Sequence, residues 1–182
     1  MSRAFEGITL ERDCMATTIP YGDRVALTAG GQVQVVQQLG GSITVRTEMG
    51  SLLRIDGADA DALGLEIPDE KIEHDHTAEF HIDQVLDVLQ TVYDPEIPVS
   101  IVELGLVYRC EEVELPDGRR RIEIDMSMTA PGCGMGDVLR DDASRVVEAV
   151  PGVDEVEVNL VWDPPWTMQR MSEASRLQLG LL

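Results

Sequence analysis

Lysine is almost absent from this chain: Lys71 stands alone against 13 arginines. Chemistry that requires a lysine therefore has one residue to use, and we read the bias as a compositional habit. Positive charge is scarce altogether. Fourteen basic residues face 34 acidic ones, a formal net charge of −20. So acidic a chain repels phosphate backbones and anionic membrane surfaces, so no nucleic-acid partner and no membrane partner is expected. No run of 18 apolar residues occurs, which excludes a membrane-spanning helix. The first residues lack an apolar stretch of signal-peptide type, and no secretory leader is expected. Only three cysteines occur, Cys14, Cys110 and Cys133, widely spaced and with no C-x-x-C pair. That excludes a disulfide framework and a zinc-finger pattern, and it fits free thiols in a reducing cytoplasm. No histidine neighbours Cys133, so a Cys–His dyad has no local support. The glycine-rich stretch around Cys133 lacks the Gly-Lys-Ser/Thr ending of a nucleotide-binding loop, so ATP hydrolysis is not indicated.

What is present describes a soluble globular protein of 182 residues, one ordinary domain or two small ones. The sharpest change of composition is the acidic stretch from Glu66 to Glu79, which includes His74 and His76. We read residues 67–79 as an exposed linker between a small β-rich domain (1–66) and a mixed domain (80–182). The two histidines have metal-ligand spacing, with His81 nearby, but a solvated linker offers no rigid site. In the first domain Val33 and Val35, then Ile43 and Val45, alternate with polar residues on either side of Gly40-Gly41, predicting a hairpin. Leu52, Leu53 and Ile55 predict a further strand. At this size the domain is marginal alone.

The second domain reads as helix, strand, hairpin, strand, helix, strand. Helical spacing runs from Ile82 to Tyr93 and stops at Pro95. Leu106–Leu115 and the alternating Ile122, Ile124, Met126 and Met128 flank the turn Pro116-Asp117-Gly118. An amphipathic helix follows Gly136 and ends at Pro151. A last strand holds Val156, Val158, Leu160 and Trp162, and residues 167–179 predict a closing helix. A right-handed crossover would make the last two strands parallel. Three loops then meet at one sheet edge: Asp94–Glu103, Thr129–Gly136 and Asp163–Trp166. Ligand sites favour such edges.

Cys133 lies between Gly132 and Gly134, just before a helix. Flanking glycines let a ligand approach the backbone, and the helix N-terminus favours a thiolate, the form that binds soft metals. The competing reading is a tight helix entry with an incidental cysteine. Asp94 and Glu96, with Glu103 further on, are carboxylates that could give oxygen ligands to iron or zinc, or could simply cap a turn and meet solvent. The Asp163-Pro164-Pro165-Trp166 run is either a wall over the thiol or the exit into a core tryptophan. Cys14 and Cys110 read as small core hydrophobes.

Asp94-Pro95-Glu96-Ile97-Pro98, then Ile101–Val107, then Thr129-Ala130-Pro131-Gly132-Cys133, resemble the metal–sulfur cluster biosynthesis domain family over residues 80–166. Many relatives follow the cysteine with proline, where this chain has Gly134-Met135-Gly136. The resemblance implies an α+β domain, a two-layer mixed sheet with helices. It also implies an accessory role, without turnover, in maturing iron–sulfur proteins through the SUF assembly system. Its partners would be the assembly machinery and apo client proteins, with Cys133 as the functional thiol and iron or a transient iron–sulfur cluster as cargo. One cysteine cannot supply the four protein ligands of an ordinary cluster. A second subunit in a homodimer, a small thiol, or Asp94, Glu96 or Glu103 would have to complete the set. The alternatives are a non-catalytic adaptor docking machinery to clients, an accessory subunit of a ring-oxygenating enzyme, and a thiol enzyme acting on small molecules.

Overall fold

The computed structural model describes residues 7–66, 79–131 and 134–181. The linker expected over 67–79 therefore lies, except for Glu79, outside the described residues. The chain divides into two compact units: Met1–Lys71 with Pro95–Pro98, and Ile72–Asp94 with Val99–Leu182.

The first unit contains six strands: β1 (Ile8–Thr9), β2 (Cys14–Ile19), β3 (Arg24–Leu27), β4 (Gln32–Leu39), β5 (Ser42–Thr47) and β6 (Leu52–Asp56). They form one antiparallel sheet in the order β1-β4-β5-β6-β2-β3. The β4–β5 hairpin closes as expected at Gly40-Gly41, with Leu39 opposite Ser42. β1, β2 and β3 fall in the domain expected to be β-rich, although no strand period marks them individually. β1 and β3 are two and four residues long, too short to show a period, and β2 carries Thr17-Thr18 in place of large apolar residues. Ile43, Val45, Leu53 and Ile55 point to one face and bury there with Leu10, Ala16 and Val33. A 3-10 segment, Gly57–Leu63, closes that core with Ala60, Ala62 and Leu63. Asp56 starts it by accepting a hydrogen bond from Ala58 N at 3.0 Å. Cys14 is 7% exposed, the buried hydrophobe that its position predicts.

The second unit is α+β. Helix α1 (Ile82–Leu89) precedes strand β7 (Val107–Glu114), which pairs antiparallel with β8 (Arg120–Met126). Helix α2 (Met135–Glu148) crosses over to β9 (Glu155–Leu160), which pairs parallel with β8. The strand order is β7-β8-β9, and α1 and α2 pack on one face of it. Ile122, Ile124 and Met126 of β8 and Leu139, Ala143 and Val147 of α2 are fully buried between the layers. The other face is charged: Arg109 pairs with Asp125 at 2.7 Å and Glu123 at 3.1 Å, and Arg121 with Glu155 at 3.1 Å. α1 is shorter than the periodicity predicts. It stops at Leu89 because the Thr91 hydroxyl takes the Val88 carbonyl at 2.7 Å, and Tyr93 turns into an antiparallel bridge with Ser100. The closing helix is also interrupted. A 3-10 turn (Met168–Arg170) and α3 (Glu173–Gln178) are separated at Met171, which is 5% exposed, and Ser172, whose hydroxyl caps α3 by accepting from Ser175 N at 3.1 Å. No helix among the described residues is long and apolar enough to cross a membrane.

Candidate functional site

The carboxyl edge of the β8–β9 parallel pair is where the second unit's irregular segments gather. Ser127 N donates to Leu106 O, and Val161 N to Met126 O, both at 2.8 Å, so the entry to β7 and the exits of β8 and β9 are held side by side. Gly136 fixes the start of α2 against this edge. A Cβ there would lie 3.2 Å from Leu160 Cδ1 and 3.5 Å from Met128 Cγ. The absence of a side chain therefore lets the first turn of α2 sit on the ends of both strands. Gly134 is the N-cap of α2 and offers no side-chain acceptor to its first amides.

Cys133 and Gly132 lie outside the described residues, between Pro131, which is exposed, and Gly134, which is half-buried. The other two thiols are described. Burial pushes Cys110 up to about 11, with the Glu111 charge adding to it, and burial likewise raises Cys14. Cys14 is buried, as expected of a core hydrophobe, whereas Cys110 on β7 is only half-buried.

The carboxylates offered by the sequence have different surroundings. Asp94 is 5% exposed and stands at the neck of a pinched loop, where its N–H donates to Val99 O at 3.1 Å and Ile101 N donates to Val92 O at 2.8 Å. Glu96, at the tip, is exposed and belongs with Pro95–Pro98 to the first unit. Glu103 is bound into the chain's own fabric. Its carboxylate accepts from the Ser172 hydroxyl in a short contact, from Ser175 Oγ at 3.3 Å and from Gln90 Nε2 at 3.5 Å. Its backbone carbonyl accepts from Ser172 N at 2.9 Å. Ser100 Oγ links the cluster by donating to Gln90 Oε1 at 2.7 Å and accepting from Glu103 N at 3.2 Å. Among the described residues, no group of three or more His, Cys, Asp or Glu side chains is arranged to hold a metal ion.

These contacts make the C-terminal segment a strap over the entry to β7. Trp166 Nε1 donates to Leu104 O at 2.7 Å, and Tyr108 donates its hydroxyl to Pro164 O at 2.9 Å. The Arg170 guanidinium stacks 3.8 Å above the Tyr108 ring. Trp166 is thus half-buried with its polar edge satisfied, while Trp162 is 45% exposed. The roles of Gln90, Ser100, Ser172 and Ser175 were not read from the sequence. Ser172 before Glu173-Ala174 carries an N-cap signal, but nothing local names Glu103 as its partner.

The Ser172 hydroxyl, then Gln90 and Ser175, hold the Glu103 carboxyl below the usual glutamate range against an opposing effect of burial. A depressed folded-state pKa gives stability that is present above the unfolded pKa and lost as pH falls through the folded one. Glu103→Gln is therefore expected to cost about 1 kcal/mol at neutral pH. In urea titrations at several pH values, the gap between wild type and variant should close as the solution becomes acidic through the folded pKa. A gap independent of pH would place the effect in packing instead.

A family model described as an iron–sulfur cluster assembly protein matches residues 82–160, α1 through β9. The Fe-S protein maturation auxiliary factor of Porphyromonas gingivalis is 39% identical over 100 residues, covering 55% of this chain and 91% of that protein. This chain belongs to the iron–sulfur cluster assembly protein family. Within it the chain is similar to the Fe-S protein maturation auxiliary factor SufT of Staphylococcus aureus, at 39% identity over 90 residues, 50% of this chain and 98% of that protein. The crystal structure of a domain of unknown function, DUF59, from Bacillus anthracis matches with a TM-score of 0.50 at 39% identity, over 56% of this chain and 92% of that one.

Proposed function

We propose that this chain is an accessory factor in the assembly of iron–sulfur proteins, and that Cys133 takes up iron or an iron–sulfur cluster transiently and passes it to apo client proteins. The supporting observation is the start of α2, which follows Cys133 in sequence: Gly134 is its N-cap, and Gly136 lets its first turn sit on the ends of β8 and β9, inside the matched residues. Gly132 and Gly134 give the cargo room beside the thiol. Burial raises the pKa values of Cys14 and Cys110, which makes those two thiols poor ligands near neutral pH. One protein thiolate makes a weak site, which suits a carrier that must release what it holds. Asp94, Glu96 or Glu103, a small thiol, or the thiol of a second copy in a homodimer would complete the ligand set. The Glu103 oxygens already accept hydrogen bonds, which a metal would have to displace. Partners are the SUF-type assembly machinery and its clients, in the reducing cytoplasm. The chain's part is delivery, with no turnover of its own.

The test is anaerobic reconstitution of wild type and Cys133→Ser, with iron and sulfide counted and the visible spectrum recorded. Wild type should retain iron that the variant lacks. Equal iron in both would remove Cys133 from the role.

A further inference from the structure

The first unit's sheet buries its apolar core on one face, yet two residues on its other face are buried as well. Ile43, Val45, Leu53 and Ile55 point into that core. Thr44 and its cross-strand neighbour Arg54 alternate with them and so face away, but Thr44 is only 2% exposed and Arg54 only 7%. Pro95–Pro98, which belongs to the same unit, lies over this side: the Thr44 hydroxyl donates to the Pro95 carbonyl at 3.0 Å. Pro95 is itself buried. A buried carbonyl without a donor is costly, so this hydroxyl does more than fill space. Proline removes its own N–H and stiffens the turn at both ends, and Glu96 is displayed, exposed, between the two prolines.

We propose that the six-stranded sheet serves as a cradle for the Asp-Pro-Glu-Ile-Pro turn, with Thr44 as the positioning residue that fixes the turn bearing Glu96. The proposal gives the first unit a task inside the assembly function: it sets the position of a carboxylate of the shared motif. It rests on the proposed function for the use of that carboxylate, but not for the cradle itself. A second-face threonine on β5 is suited to the task. Its hydroxyl supplies a donor to the buried Pro95 carbonyl.

Two variants of the full chain separate the hydroxyl from the methyl. Thr44→Val keeps the shape and removes the donor; Thr44→Ser keeps the donor. Hydrogen–deuterium exchange of the segment around Glu96 and Ile97 should be about tenfold faster in Thr44→Val and near wild type in Thr44→Ser. Exchange in α2 should be unchanged in both. Unchanged exchange around Glu96 in Thr44→Val overturns the proposal, as does equal acceleration in the two variants. Iron retained on reconstitution should fall in Thr44→Val and recover in Thr44→Ser. Should wild type itself retain no iron, the reading of function fails while the exchange comparison still decides the cradle.

Discussion

Gly105→Ala is expected to destabilise the protein by about 4 kcal/mol, a large share of the stability of a domain this size. Gly105 has φ +68, the left-handed region that side chains rarely adopt, so any Cβ begins with a conformational cost. Space is the greater problem. The added carbon would lie 2.1 Å from Arg170 O and 2.7 Å from Arg170 C, both backbone atoms that cannot rotate away. Either the strap lifts or the entry to β7 moves. If the strap lifts, the Trp166–Leu104 and Tyr108–Pro164 hydrogen bonds and the Arg170–Tyr108 stack go with it. Gly118→Ala supplies the control. Gly118 has φ +81 in the turn between β7 and β8, with nothing within 4 Å of the added carbon, so only the conformational cost of about 1 kcal/mol applies. Urea unfolding of the two variants, with tryptophan emission reporting on the strap, checks the contrast. Equal losses would mean that the strap is not seated on Gly105.

The sequence states its local geometry well and its long-range partners poorly. Gly40-Gly41 and Pro116–Gly118 are turn signals whose meaning needs only neighbouring residues, and both hairpins form where those signals stand. The alternation of Ile122, Ile124 and Met126 is legible for the same reason, and the crossover rule then yields the parallel β8–β9 pair. α1 ends four residues before its apolar spacing does, because a bridge between Tyr93 and Ser100 competes with helix for the backbone. No window of sequence shows that competition. The Glu103 cluster spans Gln90 to Ser175, and the Thr44 contact reaches 51 residues to Pro95. Polar pairs of this kind leave no periodicity, since one hydroxyl at a strand position looks like any other. Glu103 illustrates the consequence. A carboxylate within a motif reads as a ligand, while its surroundings reveal three side-chain donors already directed at it.

Cys133→Ala is expected to abolish delivery of iron or cluster to an apo client, to below about a tenth of the wild-type rate, without a comparable change in unfolding midpoint. The rate argument is chemical: the thiolate is the soft ligand, and alanine leaves carboxylates that hold iron without sulfur's preference for it. The stability argument follows from the described interlayer core, which Ile122, Ile124 and Met126 of β8 build with Leu139, Ala143 and Val147 of α2. Alkylation against pH gives a reading that needs no iron. Cys14 and Cys110 have thiols raised by burial, so rapid labelling near neutral pH should come from one site and vanish in Cys133→Ala. The adaptor alternative predicts otherwise. The acidic surface and the six-stranded sheet, whose strands lie outside the matched residues, would dock machinery to client with no sulfur involved. Cells carrying Cys133→Ala would then mature their iron–sulfur proteins at the wild-type level, and labelling would fall without consequence. A loss of maturation together with loss of the fast-labelling thiol ties the function to that one sulfur atom, and leaves docking as the means by which cargo reaches its destination.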